Sequence, residues 1–334
     1  MKRALVLSGG GANGAFQFGA LKYIEEEIKP RFPDFHYNII AGVSVGAING
    51  TMMAMDKFAY LQRIWNSPTL DKLIYRGKLE LLNITWRLVS RERSILDNHP
   101  LFQLLRRYVK LEDIRYDKYD LRVGAVSLED GKFYAFRPQQ FEEDEEFQKA
   151  ILASTSIPIL WQPVDQIKTK DRVIKDLVDG SIRDTSPLGQ VIQDRPDEVI
   201  IINCTSRRLP LPKEENSGSS IFSIARRSLV DIAIDEIFIN DLREFLTIND
   251  LVGQAKAQAP HVKLYRRSVS TGKRLELKQF QTVLIEPQDQ MGSIIDFSPK
   301  KIAKRIEQGY EAAREAFMGY EDRNTGRLYA GPGR

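Results

Sequence analysis

The stretch Asn38–Gly50, NIIAGVSVGAING, constrains this chain more than any other. Tyr37–Ala41 favours a buried strand and Ala47–Met55 a helix, so Gly42-Val43-Ser44-Val45-Gly46 falls at a strand-to-helix turn. A Gly-x-Ser-x-Gly at such a junction lifts a serine hydroxyl above the end of a sheet. The two glycines remove Cβ atoms that would clash where strand and helix approach. Ser44 is therefore the first candidate nucleophile, against the plainer reading of a small-residue turn.

The flanking sequence builds an α/β unit around that turn. Arg3–Ser8 reads as a strand, Gly9–Gly14 as a loop, and Ala15 to about Ile28 as a helix with Phe18, Leu21, Ile24 and Ile28 facing the sheet. Strand, loop, helix, strand and turn within 55 residues are a parallel start, whose functional loops belong at the carboxyl ends of the strands. Further strands are expected at Tyr119–Leu128, Lys132–Phe136, Ile174–Asp179, Val199–Cys204, Val262–Arg267 and Thr282–Glu286. Helices are expected at Ser223–Leu246 and at Pro299–Phe317, the latter capped by Ser298. Arg207–Ser220 reads as a mobile loop and candidate lid.

Between Lys57 and Lys118 thirteen Lys/Arg stand against seven Asp/Glu in a mainly helical pattern. This region, about 57–118, is expected to form a helical cap, either solvated or meeting anionic lipid with a basic face. Repeats and clear linkers are lacking, so 334 residues with 42% hydrophobic content are read as one domain over 1–320. The tail 321–334 is expected to fray.

Composition excludes several functions. The lone Cys204 rules out an internal disulfide and a thiolate metal cluster, and suits a reducing compartment. A net charge of +4 demands no polyanionic partner, and no zinc-finger spacing, recognition-helix signature or aromatic–basic ladder points to nucleic acid. The apolar run Ile39–Ile48 is too short to span a membrane, and Ala4–Leu7 is too short for a signal-peptide core. The expectation is a cytoplasmic protein, without a transmembrane segment, that meets membranes at their surface.

A hydrolytic serine needs an oxyanion site and a base. Gly10 and Gly11 lack side chains and precede a helix N-terminus, so their amides are candidate oxyanion donors, with the amide of Val45 as a third. Gly9-x-Gly11-x-x-Gly14 also satisfies a dinucleotide fingerprint, with Asp34 twenty residues on. Asp34, however, precedes the second strand instead of ending it, and a nucleotide leaves Ser44 unexplained, so no cofactor is expected. For the base, His36, His99 and His261 are the available histidines, and His261 gives the order Ser44, Asp, His261 of an α/β-hydrolase triad. The alternative is a carboxylate, Asp179, ahead of Gly180 at a strand end. The acidic run Glu142–Glu146 has no histidine and no metal spacing, and no metal is expected.

Taken together, these segments resemble the patatin-like phospholipases. Ser8-Gly9-Gly10-Gly11-Ala12-Asn13-Gly14-Ala15 is similar to that family's oxyanion loop, and Gly42–Gly50 to its nucleophile motif. Ala153-Ser154-Thr155-Ser156-Ile157-Pro158 resembles its Ala-Ser…Pro segment, and Val178-Asp179-Gly180 the segment carrying its aspartate. The four fall in family order across Ala4–Pro187; Asn13 departs by standing where many members have Arg or Lys. The resemblance implies a three-layer α/β/α sandwich with a mainly parallel sheet. It also implies a Ser44/Asp179 dyad without histidine, and hydrolysis of lipid acyl esters without metal or cofactor. Phospholipids or lysophospholipids are the expected substrates, with neutral esters or an inactive binding module on the same fold as alternatives.

Overall fold

The computed structural model describes residues 1–75, 94, 96–211, 213, 218, 220–267, 272, 274–322 and 326–329. Among them the strands are β1 (Arg3–Leu7), β2 (Ile39–Val43), β3 (Asp120–Ser127), β4 (Phe133–Phe136), β5 (Val164–Lys168), β6 (Val173–Asp179), β7 (Glu198–Ile202), β8 (Tyr265–Arg267), β9 (Arg274–Glu276) and β10 (Gln281–Ile285). The central sheet runs β10-β7-β1-β2-β3-β6-β5, with β4 paired to β3. The five strands from β10 to β3 are parallel, whereas β4, β5 and β6 are antiparallel to their partners.

Continuous apolar runs make these strands buried on both faces, as a parallel sheet between helical layers requires. Leu5, Leu7, Ile40, Ile200 and Ile202 enter one core with α1 (Gly14–Tyr23), α2 (Val45–Ala54) and the C-terminal helix Pro299–Ala316. Their alternating neighbours Val6, Ile39, Ala41 and Val199 face the other core, closed by Phe238, Leu242 and Phe245 of the long helix Ile234–Gln258. Helices thus cover both sides of the sheet, the three-layer arrangement expected. Among the described residues no helix is long and apolar enough to cross a membrane.

Cap helices α3 (Phe58–Trp65), α4 (Leu70–Ile74) and α5 (His99–Tyr108) stand over the carboxyl edge of the sheet, and α6 (Asp144–Ser154) packs beside β3. The remainder of the expected cap, 76–93 and 95, lies outside the described residues, as do 212, 214–217 and 219 of the expected lid. The helix expected at Ser223–Leu246 is longer: Ile221–Ala225 passes through a π-helical stretch, Arg226–Ala233, into α7 (Ile234–Gln258). For the C-terminal helix α8 (Pro299–Ala316), Ser298 supplies no side-chain cap. The Asp296 carboxylate takes the Ser298 amide instead, at 3.1 Å.

The described part of the tail, 321–322 and 326–329, is paired and not frayed. Its described residues fold back as a short hairpin, Glu321–Asp322 with Arg327–Leu328, and bury Tyr320, Asp322 and Tyr329. The anchor is Arg3, fully buried, which donates to Glu198 at 2.6 Å and to Asp322 at 2.7 Å. A buried guanidinium requires such partners, and a Gly/Arg-rich composition does not reveal that residues 317 to 319 positions away supply them. Asp322→Ala should therefore lower unfolding free energy by about 2–3 kcal/mol in a denaturant titration, since Glu198 alone is left to neutralise Arg3.

Candidate active site

The expected strand-to-helix turn is present. β2 ends at Val43, α2 begins at Val45, and Ser44 between them holds φ 58° and ψ −128°. A serine there costs roughly 1–3 kcal/mol and persists only where neighbours enforce it. Two close approaches do so. A Cβ on Gly42 would sit 2.2 Å from the Gly46 carbonyl oxygen, and one on Gly46 would sit 2.3 Å from that of Leu7. Ser154, on α6, completes the clamp. Its Oγ accepts the Ser44 amide at 2.9 Å and donates to the Gly124 carbonyl at 2.6 Å. Ser154 lies in the Ala-Ser…Pro segment, but the bond joins residues 110 positions apart and leaves no local trace in the sequence.

Sheet register brings the other segments to the same place. Leu7 pairs with Gly42, so the loop after β1 emerges beside the serine turn. Val43 pairs with Gly124 and Ala125 with Asp179, so the antiparallel strand β6 stops one strand away from Ser44 at the same level. A Cβ on Gly9 would stand 3.3 Å from Ser44 Cβ and 2.2 Å from Ser181 Oγ, which measures how tightly the three segments meet.

Asp179 is fully buried. One carboxylate oxygen accepts the Ser181 amide at 2.8 Å, and the other has no hydrogen-bond partner among the described residues. Burial pushes this carboxyl up to about 6; the Ser181 amide and the nearby Ser44 hydroxyl pull it partly back. The hydroxyls of Ser44 and Ser181 both lie close enough to the carboxylate to lower its proton affinity. The histidines have other surroundings: His36 bonds to Asp34 and Asn38, His99 to Gln103, and His261 is exposed.

The glycine loop has a definite division of labour. The Gly9 amide is used by the Thr185 carbonyl at 3.1 Å and that of Ala12 by Ile294 at 2.7 Å. The amides of Gly10 and Gly11 donate to no carbonyl among the described residues, and Val45, at the start of α2, has no intrahelical acceptor. Gly10 and Gly11 sit at φ 154° and 54°, where a Cβ would meet Cys204 at 2.3 Å and the Ile294 carbonyl oxygen at 2.4 Å. The fingerprint's last glycine, Gly14, presses against Val45, so that spacing serves packing onto the serine turn. Cys204 itself is a buried thiol pushed up to about 12.

Ile294 belongs to a loop that sequence reasoning missed. Arg305 of α8, 1% exposed, donates to the carbonyls of Met291 and Ser293 at 2.8 and 3.0 Å and to that of Asp296 at 2.6 Å. It thereby fixes the loop whose carbonyl seats the glycine segment. Gly11, Ser44 and Val45 open on one cavity of about 50 Å³. Its other walls are mainly apolar, with Ile48 and Trp65 near the serine, Leu70 and Leu101 from the cap, and Ile157 and Trp161 beyond α6; Asn98 and Thr155 add two polar groups. The Trp65 indole is fixed by Asn49 at 3.0 Å.

Two variants probe this geometry through stability. Asp179 has a folded value of about 6 against an ordinary 3.8, so its ionisation penalises the fold. The penalty is absent below pH 3.8, grows between 3.8 and 6, and is complete above 6. Asp179→Asn should therefore stabilise the protein at pH 8 by up to about 3 kcal/mol, with no gain at pH 4, in paired thermal melts. Arg305→Lys, which cannot span the same carbonyls, should destabilise it by about 2–4 kcal/mol at both pH values.

Comparison with known proteins follows the same residues. A family model described as patatin-like phospholipase matches residues 5–192. No curated protein matches the chain. Among solved structures, VipD from Legionella pneumophila is similar with a TM-score of 0.46 and 11% identity, over 94% of this chain. The chain spans 66% of the length of that structure. The family match runs over more than half the sequence, from β1 past Asp179, and the chain belongs to the patatin-like phospholipase family.

Proposed function

We propose that the protein is a serine lipid acyl hydrolase, cleaving the carboxylic esters of phospholipids or lysophospholipids through Ser44 and Asp179. The observation that carries this reading is the fully buried Asp179, with one oxygen unpartnered, beside a serine held at φ 58°. Ser44 Oγ attacks the ester carbonyl carbon while its proton passes to Asp179. The carbonyl oxygen becomes an oxyanion, met by the unengaged amides of Gly10, Gly11 and Val45. The bond to the alcohol breaks, Asp179 returns the proton to the leaving oxygen, and an acyl ester remains on Ser44. Water, deprotonated by Asp179, attacks that ester; fatty acid leaves and the proton returns to Ser44.

The affinity for about pH 6 suits the role: the carboxylate is ionised near neutrality yet basic enough to accept a hydroxyl proton in a dry site. The apolar cavity beside Ser44 supports an acyl chain in preference to a polar acyl group. Its free volume holds only a few water molecules, so the walls from α3, α4 and α5 must part to admit a chain.

Ser44→Ala and Asp179→Ala should each lower kcat by at least about a thousandfold with the fold intact, whereas His261→Ala should stay within about twofold. In the wild type, kcat/KM should fall about tenfold per pH unit below roughly pH 6, as Asp179 takes up its proton. Turnover of phospholipid, lysophospholipid and triacylglycerol side by side identifies the substrate. Full activity in Ser44→Ala would overturn the assignment.

A further inference from the structure

The helix that crosses outside the cavity leaves an apolar face in solvent. From Ile221 to Gln258 the chain is helical, with the π stretch Arg226–Ala233 inside it. Its inner side carries Val230, 6% exposed, packed with Ile157, Leu160 and Trp161. Ile157 and Trp161 also wall the Ser44 cavity, so this helix forms the outer skin of the site. Its outer side carries Ile221, 88% exposed, with Ile224, Leu229 and Ile232 each about half exposed. Residues five apart stack across a π turn, which sets Leu229 beneath Ile224, with Ile221 and Ile232 a turn to either side. Single exposed aliphatic residues are ordinary, but four on one short stretch form a patch that marks an interaction surface.

A basic pocket lies at the far end of this stripe. Ile239 and Arg243 of α7, with Arg207 and Arg208 from the loop after β7, line a surface recess of about 310 Å³. One carboxylate, Glu286, faces both Arg207 and Arg208, at 3.2 and 3.7 Å, and Arg243 reaches the neutral amide of Asn240. Three acids of the helix have partners of their own, whereas Asp235 and Asp241 are half-buried carboxyls pushed up to about 6 by desolvation and neighbouring acids. Asp231 pairs with Arg226 and Arg227, Glu244 with Arg266, Glu236 accepts from Asn240, and Asp241 faces Asp184. Among the described residues, three guanidiniums against one carboxylate leave a positive recess suited to phosphate.

We propose that this face docks the protein on a phospholipid membrane. Ile221, Ile224, Leu229 and Ile232 enter the boundary of the acyl layer, and Arg207, Arg208 and Arg243 hold headgroup phosphates beside it. An apolar face flanked by arginines matches the two zones of such a surface in sequence, fat then phosphate, and a protein partner has no need of that order. The docking deepens the acyl-hydrolase reading and rests on it for the fate of the bound lipid. It sets the surface at 221–243. Val230 then links the docked helix to the cavity wall, so lipid meets the protein next to Ser44.

Binding and turnover are measured separately on the full chain. Ser44→Ala protein is pelleted with vesicles of phosphatidylcholine, alone or in equal parts with phosphatidylglycerol. Relative to that parent, Leu229→Ser/Ile232→Ser should bind both vesicles about tenfold more weakly or worse, and Arg208→Glu/Arg243→Glu should lose about tenfold on the anionic vesicles, with salt mimicking the loss. In the Ser44 background both double variants should hydrolyse a soluble short-chain ester within about twofold of wild type, which certifies their fold and site. No vesicle binding by the parent, or undiminished binding by both variants, overturns the proposal. So does a dimer in light scattering that Leu229→Ser/Ile232→Ser dissolves, which assigns the face to a second copy. Face-dependent vesicle binding without ester hydrolysis would overturn the enzymatic reading and leave the docking surface standing.

Discussion

Withholding water from one carboxylate is the constraint around which the catalytic edge is built. Asp179 could be neutralised by a cation, but then its proton affinity would fall and it would be a poorer base. Among the described residues no cationic side chain contributes to its titration; the opposing influences are the Ser181 amide and the hydroxyls of Ser44 and Ser181. Asn13, at a position where a cation would be familiar in the family, is buried and uncharged, in keeping with that balance. The antiparallel direction of β6 matters here. A parallel strand would carry its last residue outward to the rim, whereas β6 starts beyond the rim and stops at the level of Val43, inside the cover of α6. The Asp179 amide, bound to the Ser156 carbonyl at 3.0 Å, and Gly180, a Cβ's reach of 2.7 Å from the Gly124 carbonyl oxygen, fix that stop.

The parts of this arrangement that were legible in the sequence are those whose cause is local. Gly42 and Gly46 announce a turn because their missing side chains are needed within four residues of Ser44, and the loop Gly9–Gly11 announces backbone exposure for the same reason. The apolar runs of β1, β2 and β7 announce a sheet buried on both faces. What stayed hidden depends on partners distant in the chain. Arg305 looks like any basic residue on an exposed helix face until three carbonyls of the Met291–Asp296 loop converge on it. Ser154 and Asp322 are similar cases: a serine in a helix and an acid in a tail carry no sign of the Ser44 amide or Arg3 that they bind. Ser298 stands at the cap position as expected, but its side chain makes no cap bond.

These distant contacts also extend the catalytic scaffold past the portion that the family shares. The match ends at residue 192, yet the Ala12 amide is held by Ile294, and Ile294 by a loop pinned to Arg305. Fixing the Ala12 and Gly9 amides on protein carbonyls leaves those of Gly10 and Gly11 without one. A glycine loop free to relax would turn those two amides toward carbonyls of its own, because a buried N–H without a partner costs about 1–3 kcal/mol. The C-terminal third of the chain therefore bears on preorganisation of the loop, although it adds no group to the reacting centre.

In the proposed reaction, burial also couples substrate type to the strength of the base. With Ser44 3% exposed and little free space beside it, the cavity must widen to admit an ester. If water filled the widened space, the desolvation that raises Asp179 would be relieved and its proton affinity would drop. An acyl chain filling the same volume restores apolar surroundings and keeps the carboxylate basic. A cavity walled by Leu70, Leu101, Ile157 and Trp161 thus does more than select apolar groups by affinity. The chain that fits the walls also maintains the low dielectric on which its own cleavage depends, so a polar acyl group is disfavoured in the chemical step as well as in binding.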